Sequence, residues 1–167
     1  MTTADTGTPH GDRLTLRAYR DTDLAAVVAL FTAAVHQGAA DHYDDAQRAA
    51  WAPRPPDLEH WRQRLAADQV LLAEADDDLG GFIGYRDDGY IEFLFTAPSQ
   101  LRRGVAARLY DAAEARLRRQ GVTALFTEAS RVARPFFLRQ GFVVEAEERV
   151  GRNGVTLQRF RMRKSLA

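Results

Sequence analysis

An α+β fold, with helices layered on a mostly antiparallel sheet of about seven strands, is predicted by three features of this 167-residue sequence. Short runs rich in β-branched and aromatic residues alternate with Asp- and Gly-containing turn signals. One long stretch, Gly104 to Gln120, carries an apolar stripe at helical spacing. The elements run strand, helices, three strands, helix, strand, helix, two strands, and consecutive strands joined by tight turns pair antiparallel.

Leu14 to Arg20 reads as the first strand. Asp21 is placed to cap a helix through its side-chain oxygen, and Leu24, Val27, Val28, Phe31 and Val35 recur on one face before Gly38 ends it. Ala39 to Pro56 has no clear period; it holds His42, Tyr43 and Trp51 and ends in the break Pro53-Arg54-Pro55-Pro56. Asp57 is then expected to cap a short helix carrying Leu58, Trp61 and Leu65.

Gln69 to Ala75 and Gly80 to Arg86 are strands joined through Asp76-Asp77-Asp78. Asp87-Asp88-Gly89 is a hairpin signal because Gly accepts positive φ without steric cost, and it leads into the strand Tyr90 to Thr96. The long helix follows, with Val105, Leu109, Ala112, Ala113 and Leu117 on its apolar side and Gly121 at its end. Thr123 to Thr127 is a short strand and Pro135 to Gln140 a short helix. Phe142 to Val150 and Val155 to Arg163 form a last hairpin through Gly151-Arg152-Asn153-Gly154.

Composition narrows the function. A 46% hydrophobic chain of this length fills one core, so residues 13–167 are expected to be one domain after a loose tail over 1–12. Basic and acidic residues both number 23, without the basic excess of a nucleic-acid binder. The absence of cysteine removes disulfides, thiolate metal sites and Cys nucleophiles. No apolar run approaches the ~18–20 residues of a membrane helix and no signal pattern opens the chain, so a cytoplasmic protein without membrane or nucleic-acid partners is expected. His36 and His42 have the wrong spacing for a helical metal pair, and no metal is expected.

The chemistry concentrates in Tyr90 to Ala107. A strand runs through a short loop into a helix opening at Gly104, where free N–H groups and the positive dipole end face outward and Gly lets an anion approach closely. Arg102 and Arg103 add two cations. This is either a pyrophosphate cradle or a plain helix start beside two solvated arginines. No Lys-Ser/Thr pair follows the Gly, and no Gly-x-Gly-x-x-Gly is present, so neither common nucleotide loop fits.

The run Leu94 to Leu109 resembles the acetyl-CoA signature of the GNAT acetyltransferases, Q/R-x-x-G-x-G/A after an apolar strand and a Pro. Arg103, Gly104, Val105 and Ala106 fill the last four places, while Leu101 stands in the first beside Gln100. Ser130-Arg131-Val132-Ala133-Arg134-Pro135-Phe136-Phe137 and the residues through Gly141-Phe142 resemble the family's N-x-x-A-x-x-F-Y-x-x-x-G-F, with Ser130 for Asn and Phe137 for the Tyr that protonates the departing thiolate. With His42-Tyr43, Ala50-Trp51-Ala52 and Arg102 to Ala106, the likeness over roughly residues 13–164 is to the YafP-like bacterial branch.

The resemblance implies the GNAT acyl-CoA N-acyltransferase fold, with acetyl-CoA as cosubstrate and direct transfer of its acetyl group to a primary amine of a small molecule or peptide, by a monomer or homodimer. It implies that the pantetheine arm lies along Leu94, Phe95 and Thr96. The phosphates would meet Arg102, Arg103 and the amides of Gly104, Val105, Ala106 and Ala107, while Ser130 and Phe137 border the thioester end. Glu92, in an otherwise apolar strand, is either the general base or a structural carboxylate. Glu128 is a second, weaker base candidate that reads first as orienting Ser130 or capping the next helix, and Ser130 reads first as a helix cap. His42, Tyr43 and Trp51, approached by Tyr90, are either the acceptor pocket or packing aromatics. A non-catalytic acyl-CoA-binding module is the alternative to an enzyme.

Overall fold

The computed structural model describes residues 14–167, and the tail expected over 1–12 lies outside the described residues. Seven strands form one sheet: β1 (Leu14–Ala18), β2 (Gln69–Ala75), β3 (Asp78–Tyr85), β4 (Tyr90–Thr96), β5 (Ala124–Ser130), β6 (Val143–Arg152) and β7 (Val155–Ser165), in the order β1-β2-β3-β4-β5-β7-β6. Every neighbouring pair is antiparallel except β4–β5. The expected mostly antiparallel α+β architecture is therefore the observed one.

Five helices cover the two faces: α1 (Leu24–Ala33), α2 (Asp45–Trp51), α3 (Leu58–Ala66), α4 (Val105–Arg119) and α5 (Arg134–Arg139). The alternation of the strands splits their apolar side chains between two cores. Ile83, Tyr85, Leu125 and Met162 pack with Leu109, Ala113 and Leu117 of α4, whereas Leu72, Phe82 and Phe93 pack with Val27 and Phe31 of α1 and Trp61 of α3. Gly81 of β3 lets α4 approach closely, because a Cβ there would stand 2.7 Å from Val105 Cγ1 and 2.8 Å from the Phe95 carbonyl oxygen.

Two local expectations need correction, and the expected helix end at Gly38 gains detail. Asp21 does not cap α1; its carboxylate accepts from Arg62 Nε at 3.1 Å, while Asp23 accepts from the Arg20 N–H at 2.8 Å and orders the turn before α1. A further helical turn, Ala34–Gly38, extends α1 to Gly38 with wider, π-type bonding. The stretch without a clear period contains α2, whose start is a reciprocal cap: Gln47 N–H donates to Asp44 Oδ1 at 2.8 Å and Asp44 N–H to Gln47 Oε1 at 2.9 Å.

Candidate functional site

Strands β4 and β5 run parallel only at their start. Tyr90 is paired with Phe126 and Ile91 with Thr127, after which the two strands part. Thr127 is buried and donates its hydroxyl to the Ile91 carbonyl at 2.8 Å, the last tie before the gap. Beyond it β4 remains paired with β3 through Thr96, so its other edge presents main-chain groups to the opening. A cleft of about 170 Å³ fills this gap, bordered by Ile91 to Phe95 on one side and Thr127 to Ser130 on the other.

A bulge sets what faces the cleft. Phe93 is opposite Gly84 and Ile91 opposite Tyr85, leaving Glu92 as the extra residue of β4. Ile91 thereby points into the α4-side core, while Glu92 joins Phe93 on the face covered by α3. Arg64 of α3 donates Nε and Nη2 to Glu92 Oε1 at 3.1 and 2.9 Å, and Arg86 Nη2 donates to Oε2 at 3.0 Å. Burial alone would push the Glu92 carboxyl up; hydrogen bonding with Asp68 and the Arg64 and Arg86 guanidiniums outweigh it and hold it below the usual carboxylate range. Asp68 shifts the opposite way, to about 7, because burial and then the neighbouring Glu92 oppose its charge and the Arg86 guanidinium is outweighed.

Glu128 lies across the cleft on β5. Its Oε2 forms an ion pair with Arg159 Nη1 at 3.0 Å and accepts from the Tyr90 hydroxyl at 3.3 Å, and Oε1 has no partner among the described residues. Burial and the two carboxylates, Glu128 before Glu92, push the Tyr90 phenol up to about 12, so it remains a donor at neutral pH. Ser130 Oγ accepts from the Ala133 N–H at 3.1 Å in the turn before α5; the residue that caps α5 is Ala133, so Ser130 is not the helix cap the sequence suggests. Phe137 is buried among the rings of Tyr110, Phe136 and Phe142 and reaches the same cleft.

The expected acceptor residues separate. Tyr43 and Trp51 border the cleft, with Trp51 packed edge-on against Phe31 and Tyr43. Tyr43 is buried, donates to the Gln158 carbonyl at 2.9 Å and accepts from the Arg131 N–H at 2.9 Å, so it ties the loop after β5 to β7. His42 is exposed and is not in the cleft lining; its main-chain carbonyl accepts from Arg131 Nη1 at 2.9 Å. Arg152 and Arg159, brought in by the β6–β7 hairpin, were not legible as site residues because nothing near them in sequence marks the cleft.

The end of β4 turns through Pro98–Gln100 into a loop whose Arg102 and Gly104 both have positive φ, 65° and 77°. Arg108 N–H is the first in α4 to reach a carbonyl four residues back, Gly104 O at 3.0 Å, so the N–H groups of Val105, Ala106 and Ala107 have no intrahelical acceptor. A Cβ on Gly104 would meet nothing within 4 Å, so this first turn faces open space. Arg102 and Arg103 are exposed beside it, and Arg103 Nη1 reaches Gln100 Oε1 at 3.4 Å. An open helix N-terminus with adjacent cations, at the end of an unpaired strand edge, fits the diphosphate and amide-rich arm of coenzyme A.

Among the described residues no His, Cys, Asp or Glu grouping is placed to hold a metal ion, and no helix is long and apolar enough to cross a membrane.

Comparison with known proteins points the same way. The family profile described as the acetyltransferase (GNAT) domain matches residues 39–165. The chain is 34% identical over 152 residues to an uncharacterized N-acetyltransferase, YafP, of Escherichia coli K12, covering 91% of this chain and 96% of that protein. A GCN5-related N-acetyltransferase from Rhodopseudomonas palustris superposes with a TM-score of 0.89 at 31% identity, covering 93% of this chain and 98% of the other. The PaiA N-acetyltransferase of Thermoplasma acidophilum, solved with coenzyme A, shares the fold with a TM-score of 0.74 at 20% identity, over 92% and 99% of the two chains.

Proposed function

The chain belongs to the GNAT acetyltransferase family, and from that premise we propose that its acceptor amine enters the β4–β5 cleft from the side of α1, α2 and α3 and loses its proton toward Glu128. The protein is an acetyl-CoA-dependent N-acetyltransferase. Acetyl-CoA supplies an acyl carbon activated as a thioester and a thiolate leaving group. The observation that carries the reading is the parting of β4 from β5 after Ile91, which opens a main-chain edge leading to the N-terminus of α4.

In this reading the main chain of Leu94, Phe95 and Thr96 holds the pantetheine arm as an added strand. The N–H groups of Gly104, Val105, Ala106 and Ala107, with Arg102 and Arg103, hold the phosphates. Ser130 and Phe137 border the sulfur end. Phe137 has no proton to give, whereas the Ser130 hydroxyl hydrogen is uncommitted, since its oxygen is the acceptor of the Ala133 bond. Tyr43, Trp51 and Tyr90 wall the acceptor end, and His42 has no part in it.

An amine attacks only when neutral, so its ammonium proton must be taken up first. Glu92 has a guanidinium on each oxygen and stays ionised at neutral pH, which suits holding an ammonium better than accumulating its proton. Glu128 lines the cleft, and its Oε1, without a partner among the described residues, receives the proton, directly or through one water. Free-thiol release from acetyl-CoA across a panel of primary amines, with a no-amine control, tests the reading. It predicts release that depends on amine; release at the control rate with every amine would oppose it.

A further inference from the structure

Arg64, Arg152 and Arg159 line the cleft with Glu92 and Glu128, and two of the three arginines are already paired with carboxylates. Arg64 is bonded to Glu92 at 2.9 Å, and Arg159 to Glu128 at 3.0 Å and to Glu148 at 2.9 Å. Arg152 has no hydrogen bond or ion pair among the described residues. It is the last residue of β6, at the hairpin turn where Asn153 and Gly154 have positive φ and Asn153 Nδ2 donates to the Ala50 carbonyl at 3.3 Å. That bond ties the turn to α2 and keeps Arg152 over the cleft.

Arg152 and Arg64 also line a second, adjoining cleft, walled by Trp51, Pro56, His60 and Trp61. The two arginines therefore stand where the outer cleft meets the inner one, on the acceptor's path. Arg152 is exposed at the rim of the cleft, and partial burial of its guanidinium, followed by the like charges of Arg64 and Arg159, pulls its ionisation below the usual arginine value.

We propose that Arg152 is the anion-binding residue of the acceptor subsite, so that the preferred acceptor is an amine carrying a carboxylate, of the amino-acid class. The assignment rests on the acetyltransferase reading above. A guanidinium offers a two-pronged donor edge that matches a carboxylate. Arg64 and Arg159 already have carboxylate partners, so the one lining guanidinium without a partner among the described residues, Arg152, matches a single carboxylate and would leave part of a phosphonate dianion's charge unmet. The amine of the same molecule then reaches toward Glu92 and Glu128, whose negative charges attract an ammonium. The cleft thus presents opposite charges to the two ends of a zwitterion.

Matched pairs of amines with a free carboxylate or the corresponding carboxamide, with spacers from glycine to 6-aminohexanoate, together with aminoalkylphosphonates, test this. Transfer is followed as thiol release. Binding is followed in parallel by intrinsic fluorescence, since the chain's two tryptophans, Trp51 and Trp61, both line the outer cleft. The proposal expects at least one pair in which the carboxylate is favoured tenfold or more in kcat/KM or in affinity. Arg152→Gln should bring that pair within about twofold through KM, and Arg152→Lys should restore part of the preference. Acetyl-CoA affinity, measured by calorimetry, should be the same in all three proteins. Equal behaviour of every carboxylate and carboxamide, stronger preference for phosphonates, or a preference that survives in Arg152→Gln would overturn it. Loss of acetyl-CoA binding in the wild type would instead strike the acetyltransferase reading.

Discussion

Arg64 donates both its Nε–H and an Nη2–H to a single oxygen of Glu92, Oε1, at 3.1 and 2.9 Å. The other oxygen is left to Arg86, and the carboxylate becomes a three-element tie between α3, β4 and the β3–β4 turn. Glu92→Gln should therefore cost stability as well as rate: the anion that three guanidinium bonds hold is lost, and the amide offers one acceptor oxygen where the carboxylate offered two, so one arginine faces an N–H donor, a loss of about 1.5–3 kcal/mol. Glu128→Gln, on a partly exposed side chain, should leave the melting temperature near wild type and slow transfer by about 10²–10⁴-fold at neutral pH. Melting curves and kcat on both variants separate the roles. A larger rate loss in Glu92→Gln at saturating substrate would return the base to Glu92.

Thr127→Val removes the hydroxyl bonded to the Ile91 carbonyl at the point where β4 and β5 part. Valine fills the same space, so the change leaves a buried carbonyl without its donor at a cost of about 1–3 kcal/mol. Thr127→Ser keeps the bond and should retain most of that stability. Denaturant unfolding of the pair checks it; equal midpoints for Val and Ser would show that the bond contributes nothing.

The strands of the acceptor half could be read from the sequence because their signals are local. Gln69–Ala75 and Tyr90–Thr96 have the expected bounds, since alternation and the Asp87-Asp88-Gly89 turn depend on near neighbours. The start of the α4 loop was legible for the same reason, through Gly104. What escaped is non-local. The bulge that turns Glu92 toward Arg64 depends on the β3–β4 register, and the guanidiniums that fix its charge come from α3 and from the β3–β4 turn. His42 sits beside Tyr43 in sequence, yet only Tyr43 points inward. Arg152 reads as an ordinary turn residue until the hairpin folds over the cleft.

Asp68 gives a pH signature. Its carboxyl is raised to about 7 in the folded protein, above the ~3.9 of a free aspartate, so the folded state binds this proton more tightly than the unfolded chain. Its contribution is therefore fully present below about pH 4 and is lost as pH rises through 7. Asp68→Asn mimics the protonated form, keeping an acceptor for Arg86 Nε at 3.0 Å while adding a donor toward Glu92. The wild-type melting temperature should fall between pH 5 and 8 more steeply than that of the variant, which should be the more stable at pH 8. Parallel profiles would show Asp68 ionised throughout.

The central claim is that acetyl-CoA is held by the open first turn of α4, and calorimetric titration of acetyl-CoA into wild type, Gly104→Asn and Gly104→Asp tests it most directly. Gly104 has φ 77° with nothing within 4 Å of a Cβ, and Asn and Asp are the side chains that best tolerate that backbone. Both variants should fold, as circular dichroism can verify, with similar small losses of stability. They differ by a charge placed at the mouth of the cradle. The account predicts measurable binding by wild type, weakened binding by Gly104→Asn, and none detectable by folded Gly104→Asp. Equal affinity in the two folded variants, or no binding by wild type, would contradict it.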